Sequence, residues 1–143
     1  MIVISSCLVG KKCRYNGSHS LNQALLDSLG GEYIDLCPEI LGGLKTPRKP
    51  CEIIGGEGKD VLRGVARIVD CNGVDVTDKM LLGAERALDI CKAKNVTKAY
   101  LKQNSPSCGF GRIYDGSFSS VVREGNGVFA ELLRWSGVEV VGG

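Results

Sequence analysis

Met1-Ile2-Val3-Ile4-Ser5-Ser6-Cys7 is the stretch that decides the fold. Ile2-Val3-Ile4 is an unbroken β-branched run without polar alternation, the pattern of a strand buried on both faces of a parallel sheet. Outward from it, residues 8–18 form a loop. Leu21, Ala24, Leu25 and Leu29 then recur at helical spacing, and Gly30-Gly31 close that segment. A second strand at residues 32–36 delivers Cys37. This β-loop-α-β opening makes the first two strands parallel neighbours.

Three of the chain's four prolines and many glycines fall between residues 38 and 60, which predicts no long regular element there. Apolar runs at 61–69 and 74–76 flank Asp70-Cys71-Asn72-Gly73, and Asn-Gly between such runs predicts a small antiparallel hairpin. Thr77 is placed to cap a helix reaching about Asn95, with Leu81, Ala84, Leu88 and Cys91 as its apolar stripe. The next strand is Ala99-Tyr100-Leu101, followed by Lys102-Gln103-Asn104-Ser105-Pro106-Ser107-Cys108-Gly109. A Gly-rich turn region extends to about residue 122. Asn126 introduces a helix over 128–135, and a strand at 138–141 ends the pattern. Alternating β and α segments predict one domain over residues 1–143: a three-layer α/β sandwich with a mainly parallel, Rossmann-like sheet and a hairpin excursion.

Composition agrees with that frame. In 143 residues, 43% are hydrophobic and 24% charged, ordinary globular usage that supports a core and excludes a disordered chain. Eighteen basic residues against 16 acidic give a net charge of +2, with the signs interspersed, so no nucleic-acid footprint is visible and binding to tRNA has no support from charge. No apolar stretch approaches the roughly 18 residues that span a bilayer, and no basic segment precedes the first strand. The reading is a cytoplasmic protein without membrane contact.

Seven cysteines, an odd number, cannot all pair with one another. In a chain able to build its own core, metal or catalytic duty is the better account of some of them. Ligands of open parallel sheets bind beyond the carboxyl ends of the strands. Cys7, Cys37 and Cys108 each follow a strand, in loops with Pro or Gly beside them or close by, and none continues a hydrophobic period. They are the candidate site cysteines, with buried inert thiols as the plainer alternative. Cys13 is a reserve ligand and Cys51 either a near-site thiol or a bystander. Cys91 lies on a helix stripe and Cys71 in a turn, which makes both poor ligands.

Several motifs taken together carry a family resemblance: Cys7-Leu8-Val9-Gly10 with Cys13-Arg14-Tyr15-Asn16-Gly17, Cys37-Pro38-Glu39 with Gly42-Gly43-Leu44 and Thr46-Pro47-Arg48-Lys49-Pro50, and Ser105-Pro106-Ser107-Cys108-Gly109. Over nearly its whole length the chain resembles the bacterial and archaeal family of small proteins that includes the thiouracil desulfidases. That resemblance implies a [4Fe-4S] cluster held by three cysteines, with one iron open to take sulfur from a thiocarbonyl. Matched by motif, the cluster ligands are Cys7, Cys37 and Cys108, the same three that the strand ends select. Asn16 where the family often has Asp, Cys51 where it often has a small residue, and Gln103-Asn104 are departures that bear on substrate preference.

Soft thiolates favour iron-sulfur, zinc or copper over hard cations, and three ligands leave a position open for chemistry. The implied reaction is non-redox: water adds at the thiocarbonyl carbon of a thiopyrimidine, and sulfur leaves as hydrosulfide on the open iron. Glu39, two residues from Cys37, is the candidate carboxylate for proton handling, a salt-bridged loop residue being the alternative. The resemblance favours Ser105 as a catalytic substrate contact. Ser107 is a candidate substrate contact or a plain turn residue. Arg14, Arg48 and Lys102 are candidates for a nucleotide phosphate or for steadying a negative cluster, and surface charges otherwise. Tyr15 is either a base-stacking residue or a loop anchor. His19, the single histidine, sits at a predicted helix start, which disfavours a Ser-His-Asp triad. Gly42-Gly43 and Gly55-Gly56 match no phosphate-loop spacing. Two other readings stand beside the enzyme: a sulfur-trafficking or cluster-carrier protein without hydrolytic turnover, and a structural zinc knot on Cys7, Cys13, Cys37 and Cys108.

Overall fold

The computed structural model describes residues 1–142. Its centre is a four-stranded, all-parallel sheet formed by β1 (Ile2–Ser5), β2 (Tyr33–Leu36), β5 (Lys98–Leu101) and β8 (Glu139–Gly142), in the order β2-β1-β5-β8. The register sets Val3 beside Ile34 and Ala99, and Ala99 beside Val140, so these residues share one face. Against that face pack α4 (Thr77–Ala93) and α5 (Val128–Trp135). The opposite face presents Ile2, Ile4 and Tyr100 to Leu25, Leu26 and Leu29 at α1 (Gln23–Ser28). Three layers result. The unbroken apolar run of β1 is thereby explained, since Val3 and Ile4 point to opposite faces and are both fully buried.

On α4 the buried stripe is Met80, Gly83, Ala84, Ala87 and Cys91, one position round from the predicted stripe, with Leu81 and Leu88 at its edge. Thr77 is not the cap. Val76 is, and the Thr77 hydroxyl instead accepts the Ile68 amide at 2.9 Å. At α5 the cap is Gly127; Asn126 serves the preceding loop, its Oδ1 accepting the Gly111 amide and its Nδ2 donating to Glu131.

The central excursion differs from the predicted hairpin. Here β3 (Cys51–Ile54) pairs antiparallel with β4 (Arg67–Asp70), while α3 (Gly58–Leu62) lies between them behind a Glu57/Asp60 capping box. The register partners Ile53 and Ile68 are both buried, and this burial outweighs the local turn. Asn72-Gly73 does reverse the chain, but only one bridge, Val69 to Asp75, follows before α4 begins. A second ribbon, β6 (Arg112–Tyr114) with β7 (Val122–Glu124), occupies the region read as Gly-rich turns. Among the described residues no helix is long and apolar enough to cross a membrane.

Candidate metal centre

Strand order places β1 and β5 side by side, with β2 reached outward from β1 and β8 outward from β5. The crevice of such a sheet opens at the carboxyl ends of the two middle strands. Cys7 follows β1 on a short 3-10 turn (Ser6–Val9), Cys37 caps the four-residue helix α2 (Pro38–Leu41) directly after β2, and Cys108 lies in the turn beyond β5. All three line one cavity of about 330 Å³. The sheet thus gathers thiols that are far apart in sequence. Cys7 and Cys108 are only 7% and 6% exposed, so the thiols face the cavity rather than bulk water.

Three more cysteines reach the same wall: Cys13, Cys51 and Cys71. The Cys13 backbone oxygen is 4.0 Å from the Cys37 sulfur, and Cys37 and Cys7 are the neighbours that act most on the Cys13 thiol. Cys71, read from sequence as a turn residue without site duty, does remain exposed but still contributes to the cavity. Cys91 alone stands apart, packed under α4 in the core, its thiol pushed up to about 11 by burial.

Four of the cavity thiols, Cys13, Cys37, Cys51 and Cys108, are biased toward the protonated form. Contact with the Cys13 thiol, then burial, pushes the Cys37 thiol far up, and burial does the same at Cys108. At Cys13 the Cys37 contact favours the thiolate, but the Cys7 contact and burial outweigh it and raise the thiol to about 11. Cys51 is pushed up to about 12, chiefly by burial. A soft cation reverses this balance by replacing the proton on sulfur. Cavity-facing thiols from three strand ends, Cys7 and Cys108 buried and Cys37 half-buried, are a donor set that fits an iron-sulfur group. Among the described residues no three His, Cys, Asp or Glu side chains form a group that could hold one metal ion.

Glu39 follows Cys37 on α2, and its carboxylate pairs with Arg48. Their side chains are only 14% and 10% exposed, so Arg48 is not a solvated surface charge; it lines the cavity with Glu39 as its ion-pair partner. The same guanidinium donates to the Cys13 carbonyl at 3.1 Å, tying the Cys13 loop to Glu39. Ser105 Oγ lies 3.5 Å from the second Glu39 oxygen and accepts the amides of Ser107 and Cys108 at 3.0 and 3.1 Å. With two donors already on its oxygen, the Ser105 hydroxyl proton is directed toward Glu39. Ser107 is 1% exposed and does not line the cavity; its carbonyl accepts the Phe129 amide at the start of α5. Arg14, Lys102 and Tyr15 do line it. His19 lies outside the cavity, its Nδ1 accepting the Leu21 amide, and Asn22 caps α1.

Glu52, Tyr114 and Phe118 also line the cavity, and no motif or spacing in the sequence singles them out. Glu52 lies within the short strand β3, and Phe118 in the loop of a ribbon with no apolar alternation.

Fold and site together define a Rossmann-like α/β protein with a thiol-lined cavity at the switch point of its sheet. The chain belongs to the 2-thiouracil desulfurase family, whose model matches residues 2–142. It is similar to the "Uncharacterized protein YbbK" of Bacillus subtilis (strain 168), at 48% identity over 142 residues that cover 99% of this chain and 94% of that protein. Among solved structures it is similar to the [4Fe-4S]-dependent thiouracil desulfidase TudS, with a TM-score of 0.85 and 41% identity over 99% of this chain and 89% of that one.

Proposed function

We propose that this chain is a [4Fe-4S]-dependent desulfidase that converts a thiopyrimidine and water into the pyrimidine and hydrogen sulfide without net redox change. Cys7, Cys37 and Cys108 would hold the cluster. The observation that carries the reading is the meeting of these three thiols with an oriented Glu39 in one cavity. When bound, the cluster supplies a thiophilic iron for the substrate's sulfur. The protein's own groups do the rest. Arg48 fixes the Glu39 carboxylate, and Ser105, set by the amides of Ser107 and Cys108, presents its hydroxyl to that carboxylate. Glu39 takes a proton from the water that adds to the thiocarbonyl carbon and returns it as sulfur leaves. Arg14 and Lys102, with Lys49 beside them on the cavity wall, are available to an anionic substituent such as a nucleotide phosphate. Seven unpaired thiols suit a reducing compartment, and we place the protein in the cytoplasm.

The test is anaerobic reconstitution with iron and sulfide, then incubation with excess 2-thiouracil. Uracil and sulfide should accumulate over many equivalents per protein, and Cys7→Ala, Cys37→Ala and Cys108→Ala should each lose both the bound iron and turnover. Release of no more than one equivalent would instead mark a sulfur carrier. Zinc without acid-labile sulfide in protein purified under argon would overturn the cluster.

A further inference from the structure

The β6–β7 ribbon reaches over the cavity, and Tyr114, Phe118 and Ser120 come to its wall from there. Two of these are held in an unusual conformation. Phe118 has φ 57° and Ser120 φ 61°, the left-handed region that glycine occupies freely and a bulky aromatic does not. A loop that needed only to turn would place glycine at these positions, as it does at Gly116, where an added Cβ would lie 2.6 Å from the Ile53 oxygen. The phenyl group is therefore retained against a local backbone cost. What enforces the conformation is Glu52, from β3: its Oε1 accepts the Gly116 amide at 2.9 Å and the Phe118 amide at 3.2 Å. Glu52 is 7% exposed and pairs with no cation among the described residues, so a buried carboxylate is committed to two amides of one exposed loop.

Besides Phe118 the wall offers Tyr15, Tyr114, Leu36 and three prolines as aromatic or apolar surface. Thiols, Glu39, Ser105 and the cations serve the edge and the sulfur of a flat heteroaromatic ring, whereas its faces need an apolar or aromatic partner. Tyr114 is fixed within the β6 ladder and Tyr15 is 40% exposed. Phe118 alone is an aromatic aimed by dedicated hydrogen bonds from a second element. We propose that Phe118 is the surface on which the substrate ring stacks, and that Glu52 is the positioning residue that holds it over the cavity. The inference deepens the desulfidase reading and rests on it for the identity of the ring.

The experiment compares wild type, Phe118→Leu, Phe118→Tyr, Glu52→Ala and Glu52→Gln as anaerobically reconstituted proteins. KM and kcat are measured with 2-thiouracil, and the Kd of the product uracil by equilibrium dialysis. Loss of one stacking face should raise both KM and Kd roughly tenfold in Phe118→Leu, with kcat falling no more than about twofold, and Phe118→Tyr should recover most of the affinity. Glu52→Ala should reproduce the KM and Kd loss. Glu52→Gln, whose amide oxygen still accepts both loop amides, should restore them, which a general loss of packing would not. Should Glu52→Ala fail to fold, the Phe118 pair and Glu52→Gln decide. Unchanged KM and Kd in Phe118→Leu, beside normal wild-type turnover, would overturn the stacking role and leave the desulfidase standing. Phe118-dependent binding of uracil by a wild type that makes no sulfide would uphold the stacking face and refute the reaction. A wild type that neither turns over nor binds either base overturns both.

Discussion

Glu39 illustrates how a single side chain acquires a role from its neighbours. A carboxylate this little exposed is costly to charge unless it is paired, and Arg48 supplies the pair while also holding the Cys13 carbonyl. The other carboxylate oxygen faces Ser105. That division, one oxygen anchored and one turned toward the serine, is what a proton-transfer group requires, and a structural ion pair does not need the serine at all. Glu39→Gln preserves shape and hydrogen bonding but cannot take a proton. It should keep the iron content and the visible absorption of the reconstituted protein while lowering kcat by about 10²–10⁴-fold. Normal turnover in that variant would return Glu39 to the status of a loop-bracing ion pair.

At the scale of elements, the site depends on how closely α2 approaches α4. An added Cβ at Gly83 would lie 1.8 Å from the Pro38 oxygen, and one at Gly42 would lie 2.0 Å from the Lys79 oxygen, so backbone meets backbone where no side chain fits. Gly83→Ala should therefore cost about 1–3 kcal/mol in urea unfolding. It should also lower turnover, because α2 carries Glu39 and is capped by Cys37. The junction from β4 to α4 is marked by Asp75, which accepts the Thr77 amide at 2.8 Å and pairs with Arg67. Hydrogen bonds from Thr77 first, and Arg67 after them, hold its carboxyl down to about 2. A carboxyl depressed on folding stabilises the native chain above its unfolded value of about 4 and loses that contribution as the pH falls toward 2. Asp75→Asn should flatten the acid limb of stability between about pH 4 and 2 by lowering stability slightly above pH 4, pH 7 included, and leaving it unchanged near pH 2; the group is exposed, so the effect is small. These elements were unequally legible in the sequence. The strand β1 was readable because burial on both faces leaves an unbroken apolar run, β2, β5 and β8 because each carries a short apolar run next to a helical or turn segment, and α4 because Leu81, Ala84, Leu88 and Cys91 repeat at helical spacing. The hairpin was misread because Asn72-Gly73 is a local signal, whereas β4 finds its partner in β3, on the far side of α3, through the buried Ile53 and Ile68. The ribbon β6–β7 gave no periodic signal: β7 is exposed along its length, and its value lies in the loop that it carries.

For the whole molecule, what matters is that the candidate ligands come from separate strands. Strand-end logic and motif resemblance both select Cys7, Cys37 and Cys108, while the arrival of Cys51, Cys71, Glu52 and Phe118 at the same cavity depends on two small ribbons folding toward it, which no local pattern encodes. A group bound by Cys7, Cys37 and Cys108 ties together the ends of β2, β1 and β5, three adjacent strands of the sheet. Such a group exists only on the folded chain, so its binding free energy adds to folding stability. In a chain of 143 residues each kcal/mol corresponds to roughly 3–5 °C in Tm. Anaerobically reconstituted protein should therefore melt several degrees above the same protein stripped of iron and sulfide by a chelator, as followed by circular dichroism. Cys108→Ala should lose that difference, whereas Cys91→Ala, which removes a core thiol away from the cavity, should lower both melting points and preserve the gap between them. Equal melting points for loaded and stripped wild type would mean that the iron is held by fewer strands than the cavity offers, and the three-strand site would have to be redrawn.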